Sequence, residues 1–172
     1  MRIILIRHGV AEERDVWAKT GASDEQRPLT TDGAKKMKKA AKGLLAIVPE
    51  LSAIAASPLI RTWQTAQLVA DEYYGRSPEQ LPALAPSGRR EDVLTWINQF
   101  EGGAVALVGH EPDLGELTGW LIARRPEAGI SFKKGGAALL EFGTQREAGT
   151  AVLRWFLTNS HLRALRPITP AP

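Results

Sequence analysis

The sequence contains no cysteine. That single absence excludes disulfides, thiolate nucleophiles and cysteine-based zinc or iron–sulfur centres. A reducing cytoplasm is the default compartment for such a chain. No stretch reaches the roughly 18 apolar residues that a membrane-spanning helix needs. The opening Met1-Arg2-Ile3-Ile4-Leu5-Ile6-Arg7 meets a charge too early for the roughly 7–15 apolar residues of a secretory leader, so neither a leader nor a membrane partner is expected. A strong excess of one charge is also missing. Lysine and arginine number 22 against 19 acidic residues, a net charge of +3. The basic pI near 9.4 is therefore thin support for nucleic acid, and no nucleic-acid partner is expected.

What remains is the composition of a soluble globular protein, 172 residues with 44% hydrophobic and 24% charged. One domain over residues 1–165 accounts for this length, followed by a tail at 166–172 carrying Pro167, Pro170 and Pro172. Ile3–Ile6 is apolar at every position, which suits a strand buried on both faces. Val10 to Arg27 is polar and reads as a long functional loop, with a helical turn near Trp17. Thr30 or Thr31 caps a helix whose Ala34, Met37, Ala41, Leu44, Leu45 and Val48 share a face. Lys35, Lys36, Lys38, Lys39 and Lys42 make its solvated side, and Pro49 ends it.

Leu51–Ala56 reads as a second strand, and Ser57-Pro58 as the cap and first residue of a helix reaching about Tyr74. A short strand is expected at Leu81–Leu84, a helix at Glu91–Phe100 and a fully buried strand at Ala104–Val108. Pro112 opens a helix to about Ala123. Ile130–Phe142 suggests a strand broken at Gly135-Gly136, and Thr150–Leu157 alternates as a last strand. The tryptophans read mostly as core, with Trp17 placed in the loop. Strands alternating with helices imply an α/β fold. The expected architecture is a three-layer sandwich, its mostly parallel mixed sheet flanked by helices and closed at one edge by an antiparallel hairpin.

Open α/β sheets bind ligands outside the carboxyl ends of their strands. Three such ends here carry unusual residues: Arg7-His8-Gly9, Ser57-Pro58 leading to Arg61, and Gly109-His110. Two imidazoles and two guanidiniums would converge at that edge. Guanidinium forks match phosphate oxygens, and Arg61 in the first turn of a helix adds the pull of its amides on an anion. An imidazole nitrogen without a proton is a competent nucleophile toward phosphorus. A hydrogen bond from Gly9 or a loop neighbour to the other nitrogen would fix that tautomer.

Four blocks carry a family resemblance: Leu5-Ile6-Arg7-His8-Gly9, Arg27-Pro28-Leu29-Thr30-Thr31-Asp32-Gly33, Ser57-Pro58-Leu59-Ile60-Arg61-Thr62-Trp63-Gln64-Thr65-Ala66, and Val108-Gly109-His110-Glu111-Pro112. In that order they resemble the histidine phosphatase superfamily, which has the phosphoglycerate-mutase-like fold. The short chain and the Arg-Pro-Leu-Thr block look like the SixA-type phosphohistidine phosphatases. The resemblance implies that His8 is the nucleophile that becomes phosphorylated, that Arg7 and Arg61 bind the phosphoryl group, and that His110 is the second pocket histidine. It also implies catalysis without a metal or other cofactor. A metal reading through His8, His110 and Asp113 lacks a closely spaced ligand pair. His161 is left structural.

Larger members of the superfamily use a carboxylate as general acid. Glu12, Glu13, Asp24, Glu91, Asp92 and Glu111 are the candidates here, and each also reads as a surface or capping group. An alkoxide leaving group needs that proton, whereas the imidazole of a protonated phosphohistidine, with a pKa near ~6.5, leaves without it. The expectation is a metal-independent phosphatase removing phosphate from phosphohistidine, most readily one carried by a protein and reached through an open pocket. The alternatives are a phosphatase of small phosphate esters or anhydrides, or a phosphate-binding protein without turnover.

Overall fold

The structure is a computed structural model and describes residues 1–74 and 76–165. The tail expected at 166–172 lies outside the described residues. Among the described residues six strands form one sheet: β1 (Arg2–Arg7), β2 (Ala53–Ala56), β3 (Glu79–Gln80), β4 (Ala104–Gly109), β5 (Ala137–Glu141) and β6 (Val152–Leu157). Their order is β3-β2-β4-β1-β5-β6. β1 to β4 run parallel, while β5 pairs antiparallel with both β1 and β6. This is the mostly parallel mixed sheet, with its edge hairpin, that the sequence suggests.

Among the described residues six α-helices accompany the sheet: α1 (Arg14–Ala18), α2 (Thr31–Ile47), α3 (Ile60–Ala70), α4 (Arg90–Ile97), α5 (Asp113–Ala123) and α6 (Asn159–Ala164). Successive side chains of a strand point to opposite faces, so each central strand feeds two cores. Ile4, Ile6, Ile54, Ala106 and Val108 pack with Met37 and Leu44 of α2, Ala66 and Val69 of α3, and Leu162 of α6. Ile3, Leu5, Ala55, Val105 and Leu107 pack on the other face with Val93 and Ile97 of α4 and with Leu114, Leu117 and Leu121 of α5. Three layers result. Among the described residues no helix is long and apolar enough to cross a membrane.

Local signals set several boundaries. Thr30 caps α2 by accepting from the Gly33 amide at 2.9 Å, and the lysine run of that helix is exposed. The loop after β1 carries α1 and a 3-10 turn at Asp24–Gln26. His161 closes a capping box with Thr158 at the start of α6, a structural role.

Four expectations need correction. Ser57 does not cap α3, which starts at Ile60 behind Leu59 with no side-chain cap and ends at Ala70. The third strand lies at Glu79–Gln80 and not at 81–84. The Leu81 amide makes a last bond to the Ala56 carbonyl at 2.8 Å, and Pro82, which has no N–H, starts a 3-10 turn. Ile130 to Gly136 forms no strand, because its backbone turns to other partners: the Phe132 amide and carbonyl to side chains, and the Gly136 amide to the Lys133 carbonyl within a turn. Of the tryptophans, Trp96 is buried, whereas Trp63, Trp120 and Trp155 are only partly so.

Candidate active site

Register places the site. β1 and β4 are neighbours, with Arg7 opposite Gly109, and the His8 amide bonds the Gly109 carbonyl at 3.1 Å. Each strand's next residue is a histidine, so His8 and His110 emerge side by side, their ring centroids 5.3 Å apart. β2 lies on the other side of β4, and its continuation Ser57 bonds back to Val108. Arg61 then enters from the first turn of α3, and its side chain is only 3% exposed. The four residues expected to converge all line one cleft of about 850 Å³.

The hydrogen bonds fix both tautomers. His8 Nδ1 lies 2.7 Å from the Gly9 carbonyl, which can only accept. Nδ1 therefore carries the proton and Nε2 keeps its lone pair. The Gly9 amide in turn donates to Thr65 Oγ1 at 3.1 Å, which anchors that carbonyl. His110 Nε2 lies 2.9 Å from Ser57 Oγ. Ser57 is fully buried, so its hydroxyl proton needs an internal acceptor, and His110 Nε2 supplies it. His110 is thereby left with an Nδ1–H to offer the cleft.

Burial pushes the His8 pKa down from 6.5 to about 4, helped by Arg61 and Arg7 and opposed by the Gly9 bond. Burial, with Arg61 and His8, takes His110 to about 3. Both rings are neutral at neutral pH. Burial also lowers the pKa values of Arg7 and Arg61. Guanidiniums nonetheless stay charged under any working condition. Arg61 is tethered by its Nη1 to the Asp24 carbonyl at 2.8 Å and by its Nη2 to the Asp24 carboxylate at 3.1 Å. Arg27 and Arg14 hold the same carboxylate, at 2.7 and 3.5 Å. Arg7 donates Nη1 to the Phe132 carbonyl at 2.5 Å. In both Arg7 and Arg61 the Nε–H is buried with no hydrogen-bond partner. Buried donors are nearly always paired, so two orphans beside two neutral imidazoles call for acceptors that an oxyanion would bring.

The candidate acids separate by position. Glu13 and Glu111 line the cleft. Glu12, Glu91 and Asp92 do not, and Asp24 lies behind the arginines. Burial would raise the Asp24 pKa, but Arg27 and Arg61 hold it below the ordinary value. Burial raises that of Glu111, against the amides of Phe132 and Gly115 and the charge of Arg7. Among the described residues no group of three or more His, Asp or Glu side chains is placed to hold a metal ion. Trp17 stays outside the cleft, its Nε1 bonding the Ser23 carbonyl within the loop. Sequence reasoning did not find Ser57, Thr65 or Phe132 as partners of site residues, because nothing local marks a hydroxyl or carbonyl for a distant group.

A family model described as the histidine phosphatase superfamily (branch 1) matches residues 3–85. The chain belongs to the histidine phosphatase superfamily. It is 34% identical over 149 residues to an uncharacterized protein of Picosynechococcus sp., covering 85% of this chain and 88% of the relative. It is 29% identical to the phosphohistidine phosphatase SixA of Escherichia coli K12 over 174 residues, 98% of this chain and 100% of that protein. The solved structure of the protein histidine phosphatase SixA with tungstate superposes at a TM-score of 0.78 and 27% identity, covering 94% of this chain and 99% of that one.

Proposed function

We propose that this protein is a cytoplasmic phosphatase, with residues 1–165 as its catalytic unit, that works through a phospho-His8 intermediate on protein-borne phosphohistidine. The observation that carries the reading is a neutral His8 with a free Nε2, set beside two arginines whose buried Nε–H groups lack acceptors. His8 Nε2 attacks phosphorus in line, and the bond to the departing imidazole breaks as the new P–N bond forms. Arg7, Arg61 and the Nδ1–H of His110 share the charge of the phosphoryl oxygens. Water then attacks the phosphoenzyme, releasing inorganic phosphate and restoring His8. The arginines do here what a divalent cation does in other phosphatases.

Two features support phosphohistidine over an alkyl ester. An ester needs a proton donor, and Glu111, the carboxyl of the cleft whose pKa burial raises, accepts from the Phe132 amide at Oε1 at 2.9 Å, which leaves only Oε2 to carry a proton. The rim mixes cations, Arg14, Arg90 and Lys134, with the acids Glu13, Asp113 and Glu116, which suits a protein surface better than a small anion. The likeness to SixA, named as a phosphohistidine phosphatase, points the same way.

The test is phosphate release from a phosphohistidine protein in excess chelator, with acid-labile enzyme label trapped at short times. Wild type should release phosphate and take up label, and His8→Ala should do neither. Higher turnover on sugar phosphates than on phosphohistidine would shift the substrate to esters. Neither release nor label on any phosphorylated compound would leave a binding protein.

A further inference from the structure

Glu111 lines the cleft and also reaches Arg7 by an indirect route. Arg7 ends β1, and its Nη1 donates to the carbonyl of Phe132. The amide of the same Phe132 donates to Glu111 Oε1 at 2.9 Å. The two backbone groups of one residue therefore join the acid to the guanidinium. Phe132 is fully buried and its ring packs on Phe156 at 4.5 Å. Its segment belongs to no strand, so no ladder holds its backbone in place. The Glu111 carboxylate supplies that restraint.

Glu111 is fixed in turn. It follows His110 at the entrance to α5, and the nearby Gly115 amide, like that of Phe132, works against the burial that raises its pKa. A Cβ on Gly115 would lie 2.0 Å from the Ile130 carbonyl, so α5 packs directly on the segment that carries Phe132. A carboxylate in an anion-binding cleft would ordinarily repel the substrate. Here its charge faces Arg7 and its Oε1 accepts from the Phe132 amide.

We infer that Glu111 is a positioning residue, which orients Arg7 through the backbone of Phe132 so that the guanidinium is preset for a phosphoryl group. The inference rests on the proposed function, since the aim of Arg7 matters only where such a group binds. Three consequences follow. Removing the carboxylate strands a buried amide, lets the Phe132 carbonyl move, and releases Arg7 from one end. A neutral side chain that still accepts from Phe132 preserves the arrangement. Without Arg7, Glu111 has nothing to position.

The experiment measures tungstate affinity, kcat and KM on a phosphohistidine protein, and thermal midpoint for wild type, Glu111→Ala, Glu111→Gln, Glu111→Asp, Arg7→Ala and the Arg7→Ala/Glu111→Ala double variant. Glu111→Ala should weaken tungstate about tenfold and lower kcat/KM by a similar or larger factor. Glu111→Asp keeps charge and acidity but falls a methylene short of Phe132, and should lose about as much affinity. Glu111→Gln should recover to within about threefold of wild type, because its amide oxygen accepts the same bond. In the Arg7→Ala background, loss of Glu111 should cost less than about twofold further.

Tungstate binding unchanged in both Glu111→Ala and Glu111→Asp overturns the inference, as does full additivity with Arg7→Ala. A lower midpoint with unchanged affinity would mean a merely structural glutamate. Glu111→Gln as inactive as Glu111→Ala, with tungstate binding intact, would make Glu111 a proton donor instead. If Glu111→Ala does not fold, the Asp and Gln variants carry the comparison. A wild type that binds tungstate without turnover or label defeats the proposed function, while the tungstate affinities still judge Glu111.

Discussion

Acidifying the ligand-free protein should destabilise it well before its carboxylates titrate, because two histidines are buried neutral. His8 is held near 4 and His110 near 3, against an ordinary 6.5. A base whose pKa falls on folding binds more protons in the unfolded chain. Its contribution is therefore complete above about 6.5 and is lost as pH falls toward the folded value. Between about pH 7 and about pH 5, each ring should remove about 2 kcal/mol, or about 4 kcal/mol together. That is a large part of the ~5–15 kcal/mol that holds a typical domain.

The assay is denaturant unfolding at both pH values, in buffer free of phosphate and sulfate. His8→Asn keeps an amide to donate to the Gly9 carbonyl but cannot titrate. Its pH-dependent loss should be about 2 kcal/mol smaller than that of wild type. Adding tungstate should oppose the acid loss, since a bound dianion raises both pKa values. Equal pH dependence in wild type and His8→Asn would refute the reasoning, as would a His8 ring that titrates near 6.5 by NMR.

Gly33→Ala should destabilise although alanine ordinarily favours a helix by about 1 kcal/mol, because its Cβ would lie 2.0 Å from the Val10 carbonyl. A raised melting temperature would contradict that close approach. Thr65→Val leaves the buried Gly9 amide without an acceptor and should cost about 1–3 kcal/mol in denaturant unfolding, with slower labelling of His8. Thr65→Ser should restore both, and failure to do so would remove the hydroxyl from the account. Ser57→Ala takes away the partner of His110 Nε2 and should lower kcat about tenfold with little change in KM. A change confined to KM would show that the tautomer of His110 does not matter to the chemical step.

Much of the molecule was legible because its signals are local. Ile3–Ile6 and Ala104–Val108 are apolar at every position, which suits a short strand covered on both faces. Thr30 and the spacing behind it announced α2, and the residues after two strand ends announced the site. The failures were local readings overruled at a distance. Ser57 looked like a helix cap, but its hydroxyl serves His110 just past the end of a neighbouring strand. Ile130–Gly136 was read as the start of a strand, yet its backbone groups hold Arg7, Glu111 and the loop at His8. Asp24 was one of six candidate acids, and three arginines brought around it settled its charge.

The sequence by itself determined most of the strands and helices, and that imidazole and guanidinium stand at the strand ends. Periodicity, capping and strand-end placement are written in neighbouring residues. Only the tertiary structure decided that β1 lies against β4, so that His8 faces His110. It also decided which nitrogen of each ring is protonated and which arginine donors remain free. Those properties belong to hydrogen bonds and burial between residues far apart in the chain, and they exist only once the sheet has formed.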